Sequence, residues 1–279
     1  MDPDLDHHAA RALLEWQIEL GASEAICEQP IDRYALDPAP PRADRAPADH
    51  APAEQTGPAQ AGRTGPAQAE TRDPKAEACA AAEDAARLAD DLDGLRAAMA
   101  AFEGCELKRG ARNLVFADGR PGARVMIVGE APGREEDQAG RPFVGKAGQL
   151  LDRMFAQIGL SRGAQQAHDA LYITNVLPWR PPQNRDPNAD EIAMMLPFLR
   201  RHVALADPEV LILMGNVSCQ ALLGRKGILR LRGGWTQALE RPALPMTHPA
   251  YLLRMPAAKR EAWSDLLALR AHLEGTPEP

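Results

Sequence analysis

A chain of 279 residues, 45% of them hydrophobic, has room for one large domain or two small ones. It contains no apolar run approaching the ~18 residues that a membrane span needs. The net charge of −7 hides an asymmetry, since residues 1–85 carry 17 acidic and 7 basic side chains and residues 86–279 carry 22 and 25. A mildly basic body with an acidic arm suits contact with nucleic acid.

Four cysteines, Cys27, Cys79, Cys105 and Cys219, follow no CxxC or other metal spacing. They are too few and too scattered for a disulfide framework, which argues for a reducing cytosol. The opening Met1-Asp2-Pro3-Asp4 is acidic, the wrong character for a signal or transit peptide. A soluble, cytoplasmic, monomeric protein with no membrane association is the expectation.

Taken in chain order, residues 8–20 suit one amphipathic helix, with Ala9, Leu13, Trp16 and Leu20 on a single stripe. Alone it is too short to be stable in water, so it must dock on its own body or on a protein partner. Residues 1–36 are read as this acidic arm. Residues 37–75 form an Ala/Pro/Gly-rich stretch in which TGPAQA occurs twice. Almost free of Leu, Ile, Val and Phe, it cannot bury enough surface to offset chain entropy and reads as a disordered linker. The folded unit then covers 76–279. It begins with an alanine-dense segment, Ala76–Ala101, where Leu88, Leu92, Leu95 and Met99 have helical spacing.

From Arg124 the pattern alternates. Strands are expected over 124–128, 171–176, 209–214 and 243–247, and helices over 146–159, 189–205, 216–223 and 257–273. Asn188 followed three residues later by Glu191 marks a helix start of the capping-box kind. Short, nearly continuous apolar strands alternating with helices argue for an α/β fold. The expected architecture is a three-layer α/β/α sandwich around a small four-stranded parallel sheet. In such a sheet ligands bind beyond the carboxyl ends of the strands. Four polar loops meet there: GEAPGREED, TNVLPWRPPQNR, GNVS and THPAYLLR.

Two simple readings of these loops fail. Gly140 to Lys146 has the GxxxxGK spacing of a phosphate loop, but Ala147 stands where a Ser or Thr should hold magnesium. Glu135-Glu136-Asp137 makes a carboxylate cluster, yet no histidine neighbours it, and acidic residues are ordinary at a helix start. No metal site is expected. A third reading uses the loops together. Phe143 is an isolated aromatic in a Gly/Pro loop, Asn175 follows directly on a strand, and His248 precedes Pro249 near Arg254. Each has an ordinary structural explanation as core residue, strand cap or satisfied histidine. Jointly, a flat ring, an amide and an imidazole are what a nucleobase pocket needs.

The blocks GEAPGREEDQAGRPFVGKAGQLLDRM, YITNVLPWRPPQNRDP and THPAYLLR resemble the three signature blocks of family 4 uracil-DNA glycosylases, and the likeness covers roughly 100–272. The resemblance implies removal of uracil from DNA by hydrolysis of the N-glycosidic bond of a flipped nucleotide. It implies that Phe143 stacks on the base and Asn175 pairs with its O4 and N3–H edge, with Gly129 and Ala131 lining the pocket. His248 would stabilise charge at O2, and Glu130 and Glu136 would hold or orient the attacking water. Leu252, Leu253 and Arg254 would enter the duplex and grip phosphate. Arg225, Lys226, Arg230 and Arg232 form a basic loop that could track phosphates, although a solvated loop explains them equally well.

The family usually holds an iron–sulfur cluster on four cysteines. Here Phe102 stands at the first position, Cys105 at the second, Trp179 at the third and Met195 (or Met194) at the fourth. A cluster needs four thiolates, so none is expected, and no other cofactor is. The alternative to an enzyme is a non-catalytic, nucleic-acid-binding repair adaptor on the same fold. A hydrolase of free nucleosides is a weaker option.

Overall fold

A computed structural model describes residues 74–275. The amphipathic helix expected over 8–20 and nearly all of the linker expected over 37–75 lie outside the described residues. Two helices open the fold: α1 (Pro74–Arg87) and α2 (Leu92–Ala101). The single helix expected across Ala76–Ala101 is therefore broken. Asp91 caps the second piece by accepting the Gly94 N–H at 2.7 Å, and Arg201 donates to the Ala89 carbonyl between them at 2.7 and 2.9 Å. Leu88, counted on the apolar stripe, is 71% exposed.

The chain continues through α3 (Leu107–Gly110), β1 (Asp118–Gly119), β2 (Val125–Gly129), α4 (Arg134–Ala139), α5 (Lys146–Ala156), β3 (Leu171–Asn175), α6 (Ala189–Ala206) and β4 (Val210–Met214). It closes with α7 (Asn216–Leu223), α8 (Ile228–Leu231), β5 (Thr236–Ala238), β6 (Arg241–Met246), α9 (Pro249–Arg254) and α10 (Lys259–Glu274). The capping box is made at the start of α6, where Asn188 accepts the Glu191 N–H at 2.8 Å and Glu191 returns to the Asn188 N–H at 2.9 Å.

The six strands form one sheet in the order β1-β3-β2-β4-β6-β5. The four expected strands make its parallel centre, so the four-stranded parallel sheet is corrected to a mixed sheet with antiparallel edges β1 and β5. Those edges are two and three residues long, too short to show a hydrophobic period. All residues of β2, β3 and β4 are buried, as expected of strands covered on both faces. Alternate side chains feed two cores. Met126, Val128, Tyr172, Leu211 and Leu213 join α1, α2, α6 and α7 on one face. Val125, Ile127, Leu171, Ile173 and Ile212 join α5 and α10 on the other. Among the described residues no helix is long and apolar enough to cross a membrane.

One ion pair fastens α10 to the chain after α8. Arg232 donates to both oxygens of Asp265, which is 1% exposed, and to the Glu261 carbonyl at 2.7 Å. Burial pushes the Asp265 carboxyl up, and the guanidinium opposes that shift. Arg232 is thus a structural clamp and not the phosphate contact expected from the sequence. Arg232→Ala leaves a buried carboxylate without its partner and should destabilise the fold by about 3–5 kcal/mol. Urea denaturation measures this, and a loss below ~0.5 kcal/mol, the range of an ordinary surface substitution, would show the clamp idle.

Candidate active site

Parallel pairing of β2 and β3 sets Gly129 opposite Asn175 at the carboxyl edge of the sheet. The pairing runs on past the strands, with Val176 N–H donating to the Gly129 carbonyl and Leu177 N–H to the Glu130 carbonyl, each at 3.0 Å. A methyl group at position 129 would overlap both the Asn175 Oδ1 and the Phe143 ring. The lack of a side chain therefore brings ring and amide together. Asn175 is 7% exposed and its amide has no partner among the described residues.

Phe143 stands over this floor in a left-handed conformation, with φ 53°. For a bulky residue that costs on the order of 1–3 kcal/mol and persists only where its surroundings impose it. Arg162 does so, donating to the Pro142 carbonyl at 2.9 Å and to the Phe143 carbonyl at 3.0 Å while pairing with Asp118 at 2.8 Å. Gly148 leaves room for the Phe143 carbonyl on the other side. The Phe143 ring lies stacked near His248, with centroids 5.4 Å apart and 29° between planes. Sequence reasoning missed Arg162 altogether. It lies in an ordinary polar loop, and nothing in local spacing ties it to residues 142–143.

The expected pair of water-holding carboxylates divides into two kinds. Glu136 accepts Gly133 N–H at 3.1 Å on one oxygen, and Val144 and Gly145 N–H at 2.9 Å each on the other. Three backbone N–H groups thus engage this carboxylate, which folds the loop and also lines the cleft. Asp137 is likewise consumed, accepting the Arg112 and Asn113 N–H groups at 2.8 and 3.2 Å. The Glu130 carboxylate, by contrast, accepts no hydrogen bond among the described residues. Burial first, and the Asp186 charge second, push its carboxyl up from 4.5 to about 7.

His248 opens α9, where its Nδ1 accepts the Ala250 N–H at 3.2 Å. That bond requires a bare Nδ1, so the neutral ring carries its proton on Nε2. Burial, assisted by the Arg254 charge and opposed by Glu136, lowers its pKa to about 4. It is therefore a neutral donor at physiological pH.

These groups share a cleft of about 650 Å³ lined from all four loops, with Glu130, Ala131, Phe143, Asn175, His248 and Arg254 among its walls. The size is ordinary for a small-molecule site. The proposed DNA-contacting residues do not all reach it. Leu252 is 0% exposed and packs with Leu150 and Ala262, so it is core and not a wedge. Leu253 is 41% exposed, and Arg254 and Arg230 are exposed. Among the described residues no group of three or more His, Cys, Asp or Glu could hold a metal ion. Phe102, Cys105, Trp179 and Met195 all lie in the first core, each less than 9% exposed. Burial pushes the Cys105 thiol up, away from the thiolate that a cluster needs. These residues do not fit a four-thiolate cluster.

A family model described as the uracil DNA glycosylase superfamily matches residues 116–267. The chain is 37% identical over 185 residues to a Type-4 uracil-DNA glycosylase of Pyrobaculum aerophilum, spanning 63% of this chain and 91% of that protein. It is 36% identical over 191 residues to one of Sulfurisphaera tokodaii, covering 65% and 84%. To one of Thermotoga maritima it is 37% identical over 153 residues, covering 54% and 77%.

A raised carboxyl has a readable consequence. Between pH 4.5 and about 7 the native state keeps a proton on Glu130 that the unfolded chain releases, so this residue lowers stability as pH rises through that window. Carbon-13 NMR of the Glu130 carboxyl should titrate near 7, and Glu130→Gln should flatten this part of the pH–stability curve. A midpoint near 4 would remove Glu130 as a group poised at neutrality.

Proposed function

The chain belongs to the uracil DNA glycosylase superfamily, and from that premise we propose that it hydrolyses the N-glycosidic bond of uracil in DNA, leaving an abasic site. The observation that carries this reading is the meeting of Phe143 and Asn175 over Gly129, with His248 in the same cleft. The target nucleotide has to leave the base stack to reach so recessed a site. Phe143 stacks on the flipped base, and the Asn175 amide accepts from N3–H and donates to O4. Cytosine presents the reverse edge, an N3 acceptor and an exocyclic donor. It would leave buried polar groups unpaired, the strongest form of rejection.

The C1′–N1 bond breaks with its electron pair moving onto uracil, and charge gathers at O2. His248 Nε2–H donates to that oxygen. A ring already neutral need not lose a proton first, and its bond strengthens as charge develops, which is where an interaction accelerates the step. Water then attacks C1′. Ionised Glu130 takes the proton that the water gives up, and a carboxyl with pKa about 7 suits that exchange at neutral pH. Ala131 and Gly129 line the pocket without chemistry, and Glu136 acts only through the loop it folds. Leu253, Arg254 and Arg230 are read as duplex contacts. The protein is read as a monomer. It is also read as cytoplasmic, with the helix expected over residues 8–20 offered to a protein partner.

We also propose that the enzyme works without an iron–sulfur cluster. Phe102 packs edge-on against Phe198, with centroids 5.3 Å apart, and Trp179 and Met195 are 2% and 1% exposed. Burial of a Phe or Met side chain contributes about 1.5–3 kcal/mol. An apolar plug thus supports the core at the positions where the family resemblance implies cysteines. Purified protein should be colourless with no stoichiometric iron or sulfide, and Cys105→Ser should excise uracil at the parent rate. Bound iron and sulfide would overturn this.

The activity itself is tested with an oligonucleotide carrying one uracil, followed by alkali. Strand breakage at that position is expected. Asn175→Ala should lose excision by about 10⁴, the scale for a lost base-edge pairing, at an unchanged melting temperature. His248→Ala should lose about 10²–10³ in turnover with DNA affinity retained. An Asn175→Ala variant as active as the parent would remove that residue from the pocket.

A further inference from the structure

Between α7 and β5 the chain makes a tight cationic excursion. Gly224 and Gly227 turn it with φ of 67° and 102°. The Asn216 side chain then accepts Gly227 N–H at 3.0 Å and Ile228 N–H at 2.8 Å, fixing the start of α8. Ile228 and Leu231 pack against the first core. With both of these turned inward, the short helix carries Leu229 outward. Leu229 is 59% exposed and yet belongs to the wall of the cleft. Exposed Arg225, Lys226 and Arg230 flank it.

A comparable arrangement stands on the other face of the sheet. There Leu252 anchors α9 in a core with Leu150 and Ala262, while Leu253 and Met255 are 41% and 51% exposed. Arg254 beside them lines the cleft. Each side of the cleft mouth thus has a short helix fastened by buried aliphatics, with one or two large apolar side chains held out among cations. A Leu fixed in water contributes nothing to folding. Apolar side chains of this kind can fill gaps in a base stack, while neighbouring cations neutralise phosphates.

We propose that Leu229 is a second apolar contact to duplex DNA, paired across the cleft with Leu253. The inference rests on the glycosylase reading and extends it. Leu229 packs on the base stack bordering the nucleotide that has left the duplex, and Arg225, Lys226 and Arg230 meet the adjoining phosphates. Held from both sides, the gap stays open while the flipped base occupies the pocket.

Affinity tests this independently of catalysis. Anisotropy is measured with a labelled duplex carrying a stable tetrahydrofuran abasic site and with a single strand of the same sequence. Leu229→Ala should weaken duplex binding by about tenfold, the scale of one well-buried aliphatic contact, and should weaken single-strand binding much less. Leu253→Ala serves as the comparison and should behave alike. Circular dichroism melting should be unchanged, since the side chain is exposed. Equal losses on both DNAs, or no loss on the duplex, would overturn the proposal. Excision by the parent protein is measured separately. A parent that binds but does not excise counts against the glycosylase reading, and the affinity comparison still decides the role of Leu229.

Discussion

Parallel pairing of β2 with β3 puts Gly129 level with Asn175, and the hydrogen atom that serves there as a side chain leaves space for an aromatic ring. Most of the site follows from this close approach. The strand end aims the Asn175 amide over the sheet edge, and the loop that leaves Gly129 returns to lay Phe143 on the same spot. A backbone so tightly folded needs its own supports. Glu136 ties residues 133, 144 and 145 together through their N–H groups, and Arg162 holds the carbonyls of Pro142 and Phe143. Strain at Phe143 is tolerated because bonds on both sides of the residue leave it little choice.

The same recess separates two titratable groups by one cause acting on opposite charge types. Burial disfavours whichever form is charged. It raises the Glu130 carboxyl to about 7 and lowers the His248 imidazole to about 4. At neutral pH the pair therefore offers a carboxyl near its midpoint and a ring that donates without being a cation. Environments that push two such groups apart are a usual way to assign acid and base roles in one pocket. The Ala250 N–H completes the arrangement, because only one tautomer of His248 can accept it.

Stability and function use different residues of the same sequence blocks. Within Leu252-Leu253-Arg254, the first side chain is core and the other two are exposed. Within the basic segment after α7, Arg232 is spent on buried Asp265 while Arg225, Lys226 and Arg230 remain at the surface. The acidic run 135–137 divides in the same way, with Glu136 and Asp137 engaged by backbone N–H groups. Phe102, Trp179 and Met195 are packed into the first core.

The alternating pattern of apolar runs and amphipathic stretches was enough to find the four central strands, their flanking helices and the edge where ligands gather. Burial on both faces leaves a continuous hydrophobic signature in such strands, and parallel connections force their loops to one side. Phe143, Asn175 and His248 could be picked out together because they fall in those loops. The short edge strands, the break between α1 and α2, and α4 left no periodic trace, since two to six residues are too few for one. Which charge is free and which is paired was decided by tertiary structure alone. Arg232 meets Asp265, 33 residues away, and Arg162 meets the Phe143 carbonyl, 19 residues away. Contacts of that kind depend on how helices and loops dock and not on local spacing. The exposure of Leu229 and the burial of Leu252 have the same origin, because neighbouring aliphatics on a short helix look alike until one face of it is covered.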